Sequence, residues 1–410
     1  MRLEDVATGD SADRGVGSAR ESADRKAGPA EELYGPDGTA DGTADGTADG
    51  TADGGVDPPD LKGLLEQELQ ELAIELGEPA YRGRQLYSWI HERGVDEFSA
   101  MTDLPARFRS QLTSGFRVSK LRQTERRESA EGTAVKFLFE LPGIGHVEAV
   151  LISDGDRRTA CLSSQVGCPL DCQFCATGKM GFRRNLTAAQ IVDQFLELGR
   201  YASERQERVT NVVMMGMGEP LLNYDNLVQA LRIMRVEKGP YIGGRRITVS
   251  TAGYVPGIRR LADDDLNVGL AISLNATTDE LRSQLMPINR KYPIAELLAA
   301  AADYFRRRGR RVTYEYVLMA GVTDSDEDAR RLADLTRDGV CKINLIPYNE
   351  LTPAPGSGSP EEYFRRPSDE RVDKFREIVA LRSPHTVTLR LSRGRDIDAA
   401  CGQLYRELRR

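Results

Sequence analysis

The sequence predicts an α/β protein: an open, partial (β/α)6 barrel, preceded by a small helical domain and a disordered acidic tail. From residue 159 onward, short apolar runs of strand character alternate with amphipathic stretches of helical period, the order that builds a parallel sheet. These runs number six, too few for a closed eight-stranded barrel. A break in composition near residue 60 separates this core from what precedes it.

The elements follow in chain order. Residues 1–60 hold a tandem tetrapeptide, GTADGTADGTADGTADG from Gly38 to Gly54, and almost no large apolar side chains, so they predict disorder. They carry 15 acidic and 5 basic residues, −10 of the chain's net −7, which leaves residues 61–410 at +3. Residues 61–116 read as a helical domain: Leu61, Leu65, Leu69, Leu72 and Leu76 share one helical face, Gly77 suits a C-cap, a second helix carries Leu86, Trp89 and Ile90, and a third carries Phe108 and Leu112. Residues 117–153 shift to a period of two (Val135, Phe137, Phe139, Leu141), predicting a connector of β-hairpins.

The core spans 154–396. Its six strands fall at 159–165, 211–217, 246–251, 268–274, 312–319 and 341–347, with the clearest helices at 187–200 and 294–308; Thr187 and Gln190 form a capping-box pair ahead of the first. In such a fold, catalytic groups gather at the C-terminal ends of the strands. A final segment, 397–410, contains Cys401. No apolar run approaches a membrane span and no secretory leader is visible, so a cytoplasmic, membrane-free protein is expected. Arginine clusters at 306–311, 183–184, 245–246 and 409–410 are read singly as solvated helix ends and loops, and together permit a phosphate-rich partner.

Six cysteines are too few for a disulfide scaffold, yet three crowd into GCPLDCQFCATG: Cys168, Cys172 and Cys175, in a C-x3-C-x2-C spacing just after the first core strand. Three thiolates can hold three irons of a 4Fe–4S cluster and leave the fourth open to the amino and carboxylate groups of S-adenosylmethionine. The competing reading is a zinc knuckle, which needs a fourth ligand; His91, His146 and His385 show no ligand spacing. Gly216-Met217-Gly218-Glu219-Pro220 ends the second strand in a glycine turn whose carbonyls and carboxylate suit an ammonium group, and it lacks the third glycine of a dinucleotide fingerprint. Cys161, Cys341 and Cys401 are equally readable as small buried apolar residues; pattern alone does not separate the readings.

GCPLDCQFCATG, MMGMGEPLLN, INLIPYN and DIDAACGQL, in this order, resemble the RlmN/Cfr family of radical S-adenosylmethionine RNA adenine methyltransferases from about residue 61 to the end. The resemblance implies a 4Fe–4S cluster on Cys168, Cys172 and Cys175. It implies two S-adenosylmethionine molecules per turnover, with cofactor contacts at Gly218, Glu219, Ser250, Ser273, Leu274, Asn275 and Asn349. It further implies a Cys401 that is methylated and then activated by a 5′-deoxyadenosyl radical, Glu148 as proton acceptor, and Cys161 forming a transient disulfide with Cys401. The implied partners are 23S rRNA, tRNA and a flavodoxin- or ferredoxin-type electron donor, with the enzyme a monomer and the helical domain handling RNA. Carbon 2 of adenine is the expected target; the alternatives are a Cfr-like carbon 8 enzyme, a radical enzyme with a non-RNA substrate, and a zinc-binding RNA module. Two positions depart from the family pattern: Asn275 stands where His is usual and Ala252 where Ser is usual. Asn cannot accept a proton at neutral pH, so a proton shuttle at 275 is not expected.

Overall fold

The computed structural model describes residues 58–236, 241–351 and 364–404. The tail predicted to be disordered lies, up to residue 57, outside the described residues, as do residues 405–410 of the C-terminal segment.

The first element among the described residues is a 3-10 turn at Leu61–Gly63, followed by α1 (Glu66–Glu75), α2 (Tyr81–His91) and α3 (Ala106–Gly115). The leucine stripe is therefore split: Leu61 packs from the turn, Leu65 caps α1 through its backbone N–H to Glu68 (2.6 Å), and Leu69 and Leu72 form the buried face. Gly77 follows α1 with φ of 80°, the left-handed C-cap conformation.

Three antiparallel strands follow, β1 (Arg122–Glu128), β2 (Ala134–Leu141) and β3 (Gly145–Asp154). They are not a free-standing connector. β3 pairs antiparallel with β4 (Arg157–Cys161), the first core strand, so the hairpins and the core form one sheet. After β4 come a short ribbon of β5 (Gln165–Gly167) and β6 (Phe182–Asn185) with the turn α4 (Ala176–Lys179) between them, then α5 (Ala188–Ser203). The predicted Thr187–Gln190 capping box is formed, with reciprocal bonds of 3.2 and 3.0 Å.

The core continues as β7 (Asn211–Met214), α6 (Tyr224–Met234), β8 (Ile247–Thr251), α7 (Val255–Asp263), β9 (Gly269–Ser273), α8 (Asp279–Leu285), α9 (Ile294–Arg308), β10 (Val312–Leu318), α10 (Asp326–Leu335), β11 (Cys341–Pro347), α11 (Asp369–Arg382) and β12 (Thr386–Leu389). All six predicted core strands are present, each parallel to its neighbour, in the order β4-β7-β8-β9-β10-β11. A seventh parallel strand, β12, extends the sheet beyond β11. Its Thr-Val-Thr-Leu sequence is short and half exposed, so it leaves no apolar run to read. The α9 arginines act as expected at a helix C-terminus: Arg306 and Arg307 pair with Asp303, Arg307 also with Asp263, and Arg308 caps the Ala262 carbonyl. Among the described residues, no helix is long and apolar enough to cross a membrane.

The helical domain is joined to the core by a buried ion pair. Lys62 Nζ lies 2.5 Å from Asp193 Oδ1 on α5, and the Leu121 N–H donates to the other carboxylate oxygen. Both charged side chains are almost wholly enclosed. Breaking such a pair strands a buried charge, which typically costs about 3–5 kcal/mol. Asp193→Ala is expected to lower unfolding stability by about that amount in urea titrations; a loss below about 1 kcal/mol would show that the pair does not anchor the domain.

Candidate active site

The parallel strands deliver their C-terminal ends to one cavity of about 1060 Å³, counting the space at its open mouth. Its walls carry Cys168, Cys172 and Cys175 from the loop between β5 and α4, and Gly218 and Glu219 from the turn after β7. Ser250 comes from β8, Ser273 and Asn275 from the end of β9, Asn349 from beyond β11, and Cys401 from the C-terminal segment. Ten of the thirteen residues singled out in the sequence thus face one space.

The other three sit behind it. Leu274 is fully buried and meets its surroundings through its backbone: its N–H donates to the Glu315 carbonyl (3.0 Å) and its carbonyl accepts from Arg282 Nε (2.9 Å). Cys161 ends β4 and is buried. Burial pushes its thiol up to about 12; Cys401 adds to that rise and Arg390 opposes it. Glu148 lies on β3, 3 % exposed, with Lys136 Nζ 3.2 Å from Oε1. The same ammonium donates to the Asp398 carbonyl (3.1 Å), tying the hairpins to the C-terminal segment. All six cysteines are free thiols, so the structure contains no Cys161–Cys401 disulfide.

Local backbone requirements explain the loop after β7. Gly218 has φ of 95°, and a Cβ there would lie 2.5 Å from the Gln165 side chain. That side chain needs the space, because Gln165 Oε1 accepts the Glu219 N–H (2.8 Å). Glu219 is itself 3 % exposed and accepts backbone N–H groups from Ala252 (2.7 Å) and Leu221 (3.1 Å). Burial dominates, raising its carboxyl to about 7 against these bonds. The two departures from the family pattern also have a structural setting. Ala252 works through its backbone, donating to Glu219 and accepting from Arg282 (2.7 Å). Asn275 occupies the left-handed region at φ 58°, which Asn tolerates, and its Oδ1 accepts the Val317 N–H at 3.0 Å.

The three clustered thiols are all raised by burial, a cost that bound iron would relieve. Among the described residues, no group of three or more His, Cys, Asp or Glu side chains is gathered closely enough to hold a single ion. The three cysteines line one wall of the same cavity. Asn349 Oδ1 and Glu315 Oε2 are buried with no hydrogen-bond partner among the described residues, which leaves acceptors on the wall for a ligand's donors. The donor set therefore fits a 4Fe–4S cluster with S-adenosylmethionine beside it.

Sequence reasoning missed Glu315 and Arg390, both on the cavity wall. Glu315 on β10 is held by Asn344 Nδ2 (3.0 Å), and burial raises its carboxyl. Arg390 follows β12, rests Nη1 on Met215 Sδ (3.5 Å), and is held in its charged form mainly by Cys401. Neither stands in a motif: Glu315 is a lone carboxylate in the middle of β10, and Arg390 follows a strand with no apolar run to read.

This arrangement of partial barrel, cysteine loop and strand-end wall defines a radical S-adenosylmethionine enzyme, and residues 162–333 match the Radical SAM superfamily. Residues 59–118 match the ribosomal RNA large subunit methyltransferase N-terminal domain. A solved radical SAM methyltransferase from Sphaerobacter thermophilus is 46% identical, with a TM-score of 0.79, covering 85% of this chain and 100% of that one. The dual-specificity RNA methyltransferase RlmN of Anaeromyxobacter dehalogenans is 45% identical over 86% of this chain and 93% of its own length. That of Geobacter sulfurreducens is 46% identical over 85% and 92%. The chain belongs to the RlmN family of radical S-adenosylmethionine RNA methyltransferases.

The raised Glu219 carboxyl has a measurable consequence in the metal-free protein. A carboxyl whose folded value exceeds its unfolded one stabilises the fold most below the unfolded value, and that contribution is lost as pH rises through the folded one. Between about pH 4.5 and about pH 7, wild-type stability is expected to fall relative to Glu219→Gln by about 3 kcal/mol. Parallel stability-versus-pH curves for the two proteins would contradict the burial described.

Proposed function

We propose that this chain methylates carbon 2 of an adenine in 23S rRNA, and also in tRNA, with Cys401 as the methyl carrier. The observation that carries the reading is the shared cavity: a cysteine from the far end of the chain faces the same space as the three clustered thiols. Carbon 2 lies between two ring nitrogens and is too electron-poor to attack a sulfonium methyl, so ordinary methyl transfer fails there. When bound, the cluster and S-adenosylmethionine supply the methyl group and the hydrogen-abstracting radical chemistry such a carbon demands, with a flavodoxin- or ferredoxin-type donor providing the electron and two S-adenosylmethionine molecules used per turnover.

The protein's own groups do the rest. Cys401 holds the methyl carbon and presents it to the ring, with Arg390 on the same cavity wall. Glu148 takes the ring proton, with Lys136 at 3.2 Å compensating charge on the carboxylate. The Cys161 thiolate then attacks the Cys401 sulfur, forming a disulfide as the carbon–sulfur bond to the base breaks and the freed carbon takes up a proton to become the methyl group. The unpaired electron returns to the flavodoxin- or ferredoxin-type donor, and an external reductant restores both thiols. The adenine must leave its stack to enter the cavity, which costs least in single-stranded loops. The helical domain offers Arg93 over the Trp89 ring (4.0 Å) and Arg82 over Tyr81 (4.8 Å), a surface suited to stacked bases and phosphates. A ribosomal RNA substrate supports a cytoplasmic location.

Expression in a host lacking its own enzyme, followed by nucleoside mass spectrometry of rRNA and tRNA, is expected to show 2-methyladenosine in both. Finding 8-methyladenosine would overturn the choice of carbon. Cys401→Ala is expected to reduce product to background. Cys161→Ala is expected to accumulate RNA covalently attached to the protein, detectable as a nuclease-sensitive mass shift; normal turnover in that variant would remove Cys161 from the scheme.

A further inference from the structure

Arg282, on α8, is 0 % exposed, yet among the described residues no carboxylate lies within ion-pair distance of it. Its donors all meet neutral oxygens: Nε the Leu274 carbonyl (2.9 Å), Nη1 Asn289 Oδ1 (2.9 Å), and Nη2 the carbonyls of Ala252 (2.7 Å) and Ser273 (3.0 Å). A buried guanidinium with no carboxylate in contact is costly, and carbonyl dipoles compensate it only in part.

Its position shows what counter-charge it awaits. The carbonyls it holds end β8 and β9, and Ala252 and Ser273 line the cavity. The same helix grips the cysteine loop three residues further on, where the Leu285 carbonyl accepts the N–H of Gln173, the neighbour of Cys172 (2.9 Å). Residues three apart share a helix face. The guanidinium therefore sits between the cofactor wall and the cysteine loop. Burial lowers its pKa to about 10, with Cys172 acting in the opposite sense, so it stays cationic at neutral pH.

We propose that Arg282 is the resident counter-charge of the iron–sulfur cluster, raising the cluster's reduction potential while its nitrogens fix the β8 and β9 strand ends. This rests on the cluster reading of Cys168, Cys172 and Cys175. Three thiolates make the site anionic, and reduction adds a further negative charge. A fixed cation in a low-dielectric wall stabilises the reduced form more than the oxidised one. Arg282 is a positioning residue in this role: it acts on the cofactor through the protein frame and the field.

The test is a redox titration of anaerobically reconstituted full-length protein, followed by electron paramagnetic resonance of the reduced cluster, after iron and sulfide are confirmed. In Arg282→Gln the reduced-to-oxidised ratio at a fixed applied potential is expected to fall about tenfold, a downward shift of about 59 mV for a one-electron couple. Arg282→Lys, which keeps the charge and loses part of the fork, is expected to recover most of that ratio. An Arg282→Gln cluster with the wild-type potential overturns the proposal, as does an Arg282→Lys protein shifted as far as Arg282→Gln. Should Arg282→Gln fail to retain a cluster, Asp279→Asn reads the same field from the other side. Asp279 is the carboxylate whose charge bears on Arg282, and Asn keeps an acceptor for the Ile294 N–H. Its potential is expected to rise, and an unchanged value overturns the proposal. A wild-type protein that reconstitutes without iron defeats the cluster reading instead, so the two failures are distinguishable.

Discussion

The site depends on the docking of the C-terminal segment onto the cysteine loop. The Ala176 N–H donates to the Gly402 carbonyl (2.8 Å) and Thr177 Oγ1 to the Leu404 carbonyl (2.6 Å). From the sheet side, Asn349 Nδ2 reaches the Cys401 carbonyl (3.1 Å) and Gln403 Nε2 the Glu350 carbonyl (2.7 Å). These bonds flank Cys401 and fix its backbone, so its thiol lies in the cavity by geometry rather than by chance encounter. Effective concentration of this kind is a large part of what an active site supplies. Without the docked segment, the strand ends would form only a generic cofactor pocket.

The barrel gives that segment something rigid to dock on. Parallel strands β4 and β7 through β12 end at one level, and each contributes a group to the site or stands directly behind it. The electrostatics of the cavity are balanced by burial. Cys168, Cys172, Cys175, Glu219 and Glu315 are pushed toward their neutral forms, while Arg282 and Arg390 remain cationic. Two buried guanidinium groups thus offset negative charge in a volume that otherwise disfavours it. The ion pair of Lys136 and Glu148 extends this order outward, because the same ammonium also holds the Asp398 carbonyl of the docked segment.

Features written in contiguous residues were legible in the sequence. The cysteine loop, the Gly-Met-Gly-Glu turn, the Thr187 capping box and the six core strands each carry their signal within a dozen residues. What stayed hidden depends on partners far along the chain. Nothing local says that β3 pairs with β4, so the hairpins read as a connector when they are part of the main sheet. β12 has too few apolar residues to announce itself, and Arg390 is visible as a site residue only once that strand is placed. Arg282 looks like any polar residue on a short helix until its four bonds to distant carbonyls and Asn289 are seen. Glu148 is marked only by the family resemblance; its enclosure beside Lys136 is set by strand pairing that no local pattern shows.

The most direct measurement of the central claim is peptide mass spectrometry of the reconstituted enzyme after incubation with deuteromethyl-labelled S-adenosylmethionine and no RNA. Cys401 placed by the docked segment at the cofactor cavity predicts one labelled methyl on the peptide containing Cys401 and none on those containing Cys161 or Cys341. Label on another cysteine, or none on any, would contradict it.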